Sequence, residues 1–140
     1  LVVRTSWVLG RHGSNMAATV LRLAEGPEPL RFVDDQIGHP TIASDLATMV
    51  VRLVEDGRRG TWHVTNQGVV SWCGLAREVL RAAGEDPDRV QPVSTDEMPM
   101  RAARPANSVL DNAALRAAGY DLLPDFRRSL PGVVASLARR

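Results

Sequence analysis

Asp34-Asp35-Gln36-Ile37-Gly38-His39-Pro40-Thr41 lies between a short apolar run, Leu30-Arg31-Phe32-Val33, and a helical pattern from Ala43 to Glu55. The run predicts a strand from Leu30 to Asp34. Leu46, Met49, Val50, Leu53 and Val54 recur at the spacing of one apolar helix face. The strand therefore delivers two carboxylates, a primary amide, a glycine and a proline into one tight loop. Loops at strand-to-helix junctions are where α/β proteins place ligand contacts. Gly38 permits close backbone approach to a ligand. Pro40 stiffens the exit and biases His39 away from helical geometry. The plainer reading is that Gly38 and Pro40 only turn the chain and that Asp34 and Asp35 are solvated.

Upstream, Leu1 to Ser6 predicts a buried parallel strand, apolar on both faces at its start. Gly10-Arg11-His12-Gly13-Ser14-Asn15 is a turn in which Ser14 or Asn15 caps a helix that stops at Gly26-Pro27. Downstream, Thr61 to Thr65 predicts a strand. Ser71 then caps a helix with Trp72, Leu75, Ala76, Val79, Leu80 and Ala83 on one side, closed by Gly84. Val90 to Ser94 reads as a short strand, Asp96 to Arg104 as irregular, and Ser108 to Leu110 as extended. Asp111 is placed to cap a helix ending at Gly119. The last helix starts near Asp125, and Pro131-Gly132 is expected to kink or split it. Alternation of strands and helices gives an α/β fold class.

At 140 residues, with 44% hydrophobic and 24% charged residues, the chain has the size and composition of one globular domain. No apolar run is long enough for a membrane span, and no signal-peptide pattern is present. All 17 basic residues are arginine, and interleaved carboxylates bring the net charge to +1. Neither nucleic acid nor a membrane is expected as a partner. Cys73 has no cysteine to pair with, which fits a cytoplasmic location, and reads as a packed core thiol. His12, His39 and His63 lack metal-ligand spacing, so no metal is expected. The chain starts at Leu1 in what reads as mid-sheet, so it is expected to be a piece of a longer or processed protein.

Four segments in order carry a resemblance. They are Arg4-Thr5-Ser6-Trp7-Val8-Leu9-Gly10, the Asp34–Thr41 loop, Gly60-Thr61-Trp62-His63-Val64-Thr65-Asn66-Gln67-Gly68, and Arg104-Pro105-Ala106-Asn107-Ser108-Val109-Leu110-Asp111. Together they resemble the C-terminal half of the dTDP-4-dehydrorhamnose reductases, which are extended short-chain dehydrogenases. The D-D-Q-x-G-x-P-T and R-P-x-N-S-x-L-D strings are its specific parts. The resemblance implies that residues 1–140 are the late strands of a Rossmann-type parallel sheet plus a small α/β substrate-binding lobe. It implies NADPH or NADH as cofactor, bound by a missing N-terminal half, and a dTDP-sugar as substrate.

In that family a tyrosine of a Y-x-x-x-K pair protonates the alkoxide formed by hydride transfer. This chain has no lysine, and its one tyrosine, Tyr120, is followed by Pro124. No G-x-x-G-x-x-G is present either. No catalytic residue is therefore expected here. The substrate side is: Trp7 against the deoxysugar, or closing the core; Arg104 on the diphosphate, or paired to a surface carboxylate; Asn107 and Ser108 as further polar contacts. Asn15 contacts the ligand or only caps its helix. Gln36 bonds the nucleotide or braces its loop. Asp35 is expected to hold backbone amides, His39 to be an ordinary loop side chain, and Arg4 and Thr5 to position the strand end.

Some relatives hold a metal with glutamates at a dimer interface. Ile42-Ala43-Ser44-Asp45 contains none, so neither that metal nor that dimer is carried over, although a homodimer stays open. The rival expectation is a non-catalytic regulator on the same scaffold, like the β-subunit of methionine adenosyltransferase.

Overall fold

The computed structural model describes residues 1–98 and 102–139. Two hydrophobic cores divide it. Strand β1 (Val2–Arg4) runs into β2 (Val8–Leu9), and Gly10–Asn15 leads to helix α1 (Met16–Ala24). Asn15 caps α1, its Oδ1 accepting from the Ala18 N–H at 3.3 Å while its Nδ2 donates to the Gly10 carbonyl at 2.8 Å. Strand β3 (Leu30–Val33) enters the Asp34–Thr41 loop. That loop contains two further short strands, β4 (Ile37–Gly38) and β5 (Thr41–Ile42). Helix α2 (Ala43–Glu55) follows at the expected bounds, with Met49 and Leu53 buried; Val54 is exposed. Next come β6 (Thr61–His63), β7 (Val70–Ser71), α3 (Trp72–Ala83) and β8 (Val90–Val93). Helices α4 (Ala113–Ala117) and α5 (Phe126–Ala138) close the chain.

The pairings β1–β6, β2–β5 and β3–β8 are parallel, each joined by a crossover; β4–β7 is antiparallel. Parallel neighbours cannot be linked by a tight turn, so the chain weaves between layers. Helices α1, α3 and α5 bury Val20, Leu75, Val79, Leu80, Phe126 and Leu130 against the β3–β8 pair and the β2–β5 region. The β1–β6 pair lies over a separate cluster of Met49, Leu53, Trp62, Val64, Leu115 and Tyr120. The described residues thus pack around two cores. Cys73 is buried in the first, and burial pushes its thiol pKa up.

Three expectations are corrected. Leu1 and Val2 are exposed rather than buried, because among the described residues β1 pairs only with β6 and one edge is open. Asp111 does not cap α4. The helix starts after Asn112, and Asp111 instead pairs with Arg116 at 2.5 Å. Asn112 is diverted too: its Oδ1 accepts from the Thr65 N–H at 3.0 Å. Pro131 lies within α5 without splitting it. Burial of Phe126, Leu130, Val133 and Val134 outweighs the one backbone hydrogen bond that a proline forfeits. Ser108–Leu110 forms no strand, though Asn107 bridges Ile37. The irregular stretch expected over Asp96–Arg104 includes a 3₁₀ turn at Thr95–Glu97, and its residues 99–101 lie outside the described ones.

The N-terminus of α2 is capped from a distance. Ile42, at the N-cap, offers no side-chain hydrogen bond. Its N–H donates to Asn66 Oδ1 at 2.8 Å, and Asn66 Nδ2 donates to Asp45 Oδ2 at 2.7 Å and to the Pro124 carbonyl at 3.0 Å. Ser129 on α5 donates to the same Asp45 oxygen at 2.8 Å. One fully buried amide therefore ties together α2, the turn after β6 and the approach to α5.

Candidate functional site: a cleft closed by two tryptophans

Backbone pairing assembles the site. Strand β4 sets Ile37 opposite Ser71 and Gly38 opposite Val70. The Ile37 N–H donates to the Ala106 carbonyl at 2.8 Å, and its carbonyl accepts from the Ser108 N–H at 2.9 Å and the Ser108 hydroxyl at 3.1 Å. The D-D-Q loop is therefore laced to the R-P-x-N-S segment and to the start of α3. The end of β1 is held to the same loop. The Thr41 N–H donates to the Trp7 carbonyl at 3.1 Å, and the Ser6 hydroxyl to the His39 carbonyl at 2.8 Å.

These bonds fix Trp7 in the left-handed backbone region, with φ of 46°. That conformation costs a residue bearing a Cβ on the order of 1–3 kcal/mol. The Trp7 indole stacks on Trp72, with ring centroids 3.6 Å apart and planes at 14°. One face of the Trp7 ring is therefore covered by Trp72. Gly38 presses on the same indole. A Cβ there would lie 2.7 Å from Trp7 Cε2 and 2.7 Å from Ser108 Oγ. The glycine makes room for a tryptophan and a serine of this chain, a use not foreseen from the loop sequence. Gly38→Ala is expected to displace the Trp7 ring and to add about 1–3 kcal/mol of overpacking strain. Near-ultraviolet circular dichroism and thermal melting check this; an unchanged tryptophan signal would show that the contact relaxes elsewhere.

Around the stacked pair opens a cleft of about 630 Å³. Met16, Leu23, Phe32 and Val33 give it an apolar wall, and Gln36, Arg31, Arg104 and Ser108 supply its polar groups. Arg104 is exposed and has no carboxylate partner among the described residues, so the surface ion pair weighed above is not formed. Arg31 is held loosely by Glu97 at 3.7 Å. Gln36 is buried and donates to the Thr95 hydroxyl at 3.0 Å, which is the bracing alternative, while it also lines the cleft. Asn107 is exposed beside the cleft. Its Oδ1 accepts from the Val109 N–H at 2.9 Å, so its side chain shapes the local turn. Asn15 is set apart: it lines a second cleft, about 690 Å³, between the Gly10–Asn15 turn and α5. Trp7, Gln36 and Arg104 are thus brought together, Asn107 borders them, and Asn15 is not with them.

The carboxylates of the loop are engaged. Asp34 accepts from the Ser71 hydroxyl. Asp35 Oδ1 accepts from the Thr95 hydroxyl at 2.6 Å, and both its oxygens accept from the Thr95 N–H, at 3.1 and 3.0 Å. The Thr95 hydroxyl and then its amide hold the Asp35 pKa below the usual carboxylate value. Asp35 does hold a backbone amide, as expected, but one that arrives from beyond β8. Thr5 keeps its hydroxyl buried with no hydrogen-bond partner among the described residues, and Arg4 is exposed, its carbonyl accepting from the Val64 N–H.

His39 is not an ordinary loop side chain. It is buried, with Nδ1 at 3.3 Å from the Thr65 hydroxyl, which accepts from Asn112 Nδ2 at 2.9 Å. Burial lowers its pKa, and a hydrogen bond to the Leu110 carbonyl partly offsets this. That pattern suits a neutral imidazole with Nδ1 accepting and Nε2 donating. A depressed folded-state pKa means that charging His39 favours the unfolded chain. Stability should then fall as pH drops through the unfolded value of about 6.5. The melting-temperature advantage of the wild type over His39→Gln should shrink between pH 7 and 5. An advantage that is flat across that range would contradict the neutral buried form.

The one tyrosine is committed elsewhere. Tyr120 is buried, its hydroxyl donating to Asp56 and accepting from Arg58 Nε at 2.8 Å. Among the described residues no group of three or more His, Cys, Asp or Glu side chains is arranged to hold a metal ion.

The α/β layering, the parallel pairs and the cleft beside them define a Rossmann-type α/β protein, and solved reductases share this architecture. Residues 1–139 match the family model described as the RmlD substrate binding domain. The chain belongs to that family. It is 40% identical over 97% of its length to a dTDP-4-dehydrorhamnose reductase of Mycolicibacterium smegmatis, covering 42% of that protein. It is 43% identical over 84% of its length to a dTDP-4-keto-6-deoxy-D-glucose reductase of Streptomyces niveus, covering 41% of it. A crystal structure of dTDP-4-dehydrorhamnose reductase from Bacillus anthracis in complex with NADP superposes with a TM-score of 0.90 at 37% identity. It covers 95% of this chain and 47% of that one. The chain spans under half the length of these relatives.

Trp72 and Met98, which line the cleft, and Thr95, which holds Gln36 and Asp35, were missed. Trp72 was read as part of the apolar face of its helix, and its stacking partner Trp7 lies 65 residues away, so no local signal marked it.

Proposed function

We propose that this chain is the sugar-nucleotide-binding part of a dTDP-4-dehydrorhamnose reductase. The whole protein would reduce dTDP-4-dehydro-L-rhamnose to dTDP-L-rhamnose with NADPH or NADH in the supply of rhamnose for cell-surface polysaccharide. The observation that carries this reading is the cleft in which Trp7, Gln36 and Arg104 meet, built from three of the four segments that resemble the family. Arg104 offers two parallel donors to a diphosphate oxygen pair. The tryptophans and the apolar wall suit the C–H face and methyl group of a deoxysugar.

The proton for the alkoxide comes from outside this chain. Lysine is lacking, and Tyr120 is buried between Asp56 and Arg58. The cofactor is likewise assigned to the part of the reductase that this chain does not cover, since no glycine-rich phosphate loop is present in these residues. This chain's work is to bind the dTDP-sugar, orient its C4 ketone and exclude water. The regulatory alternative is not favoured by relatives that carry reductase names.

The Streptomyces niveus relative supports a second reading, in which the substrate is dTDP-4-keto-6-deoxy-D-glucose. The test is to follow NAD(P)H oxidation by the full-length protein with each sugar nucleotide. Turnover of the rhamnose precursor supports the first reading and turnover of the glucose derivative the second. Absence of turnover and of dTDP binding would sink both.

A further inference from the structure

We infer that Trp72 is a positioning residue for the sugar: it sets the plane of the Trp7 indole and thereby which sugar the cleft admits. This rests on the proposed sugar-nucleotide reading. Four observations support it. The Trp7 backbone sits at φ of 46°, a conformation that does not hold itself. Trp72 overlaps its ring at 3.6 Å and 14°, closer than most aromatic pairs, so this face cannot tilt. The Gly38 backbone runs close beside the Cε2–Cζ2 edge, where an added Cβ would lie 2.7 and 2.8 Å from these atoms. Finally, Trp72 is carried into place by the β4–β7 pairing, which also places Gly38, so one backbone register aligns both constraints. Both tryptophans line the cleft, and both are only partly buried. A tryptophan needed only to fill the core would be covered, as Trp62 is.

The consequence is chemical. With one face of Trp7 committed, the ligand meets a fixed edge and remaining face rather than a swinging ring. A rigid indole discriminates between epimers of a deoxysugar because an axial and an equatorial substituent approach it at different heights. A mobile indole would accommodate both.

The test uses the full-length protein and three variants: Trp72→Leu, which keeps apolar bulk; Trp72→Phe, which keeps a stacking ring; and Trp7→Leu. Binding of dTDP and of dTDP-L-rhamnose is measured by calorimetry, and the coupled-indole signal by circular dichroism. Trp72→Leu is expected to weaken dTDP-L-rhamnose by about 10-fold while dTDP changes less than about 2-fold, the scale of one aromatic pair. It should abolish the coupled signal, as Trp7→Leu does. Trp72→Phe should restore most of the sugar affinity. Equal weakening of both ligands by Trp72→Leu, or failure of phenylalanine to restore the sugar term, would overturn the proposal. If the wild type binds dTDP-L-rhamnose and dTDP alike, the fault lies with the sugar-nucleotide reading itself. If the wild type prefers the sugar nucleotide and Trp72→Leu keeps that preference, only the role of Trp72 falls.

Discussion

Arg104→Ala in the full-length protein is expected to weaken dTDP and dTDP-sugar binding alike, by about 10- to 100-fold, the range for losing hydrogen bonds to a charged group. The cofactor affinity should hardly change. The reasoning starts from what Arg104 lacks. It lines the cleft, is exposed, and has no carboxylate partner among the described residues. Its charge is therefore available to a ligand, and removing it uncovers no buried carboxylate. Pro105 fixes the backbone after it, and Ala106 and Ser108 are bonded to Ile37, so the guanidinium projects from a segment anchored nearby. Lysine at this position would recover the charge but not the paired donors, and should recover only part of the affinity. Calorimetry with dTDP decides the matter. Unchanged affinity would remove Arg104 from the site.

Asn66→Ala is expected to cost about 3 kcal/mol of stability, from the loss of buried hydrogen bonds and the stranding of a buried amide. Three bonds disappear at once: from the Ile42 N–H, to Asp45 and to the Pro124 carbonyl. The Ile42 N–H begins α2 and has no local cap to replace Asn66. Asn66→Asp should be no remedy, since it would bring a second carboxylate against Asp45. Equilibrium denaturation by urea measures the loss, with the midpoint moving and the slope unchanged. A cost under about 1 kcal/mol would mean that water substitutes for the amide.

The sequence and the structure part company along lines that physics explains. Helix α2 was legible to the residue because Met49 and Leu53 recur at helical spacing and Gly57 ends the pattern. Helix α3 was legible from Ser71 and Gly84, which cap it as expected, the latter at φ of 77°. Strands β2, β4, β5 and β7 were not. Two residues are too few to show an alternating pattern, and these strands exist only through partners far along the chain. The same limit hid the lacing of Ile37 to Ala106 and Ser108. His39 read as an ordinary loop side chain, and Asn66 and Asn112 drew no reading at all, because sequence shows a polar side chain but not whether its partner is water or a distant backbone. Arg104 and Gln36 were legible as cleft residues through the motif strings. Asn15 was read as a ligand contact or a cap, and the helix geometry shows the cap. Pro131 does not split α5, since tertiary burial outweighs the lost backbone bond.

The long parallel crossovers also govern how the chain is born. Asp35 and Thr95, which seal the β3–β8 pair at one end, are 60 residues apart. At roughly 5–20 residues per second on a ribosome, β3 emerges several seconds before its partner exists. Through that interval Leu30, Phe32 and Val33 present an unpaired, sticky edge beside a loop that has nothing yet to lace to. A synonymous change that slows translation between β3 and β8 should lower soluble yield without altering a single side chain.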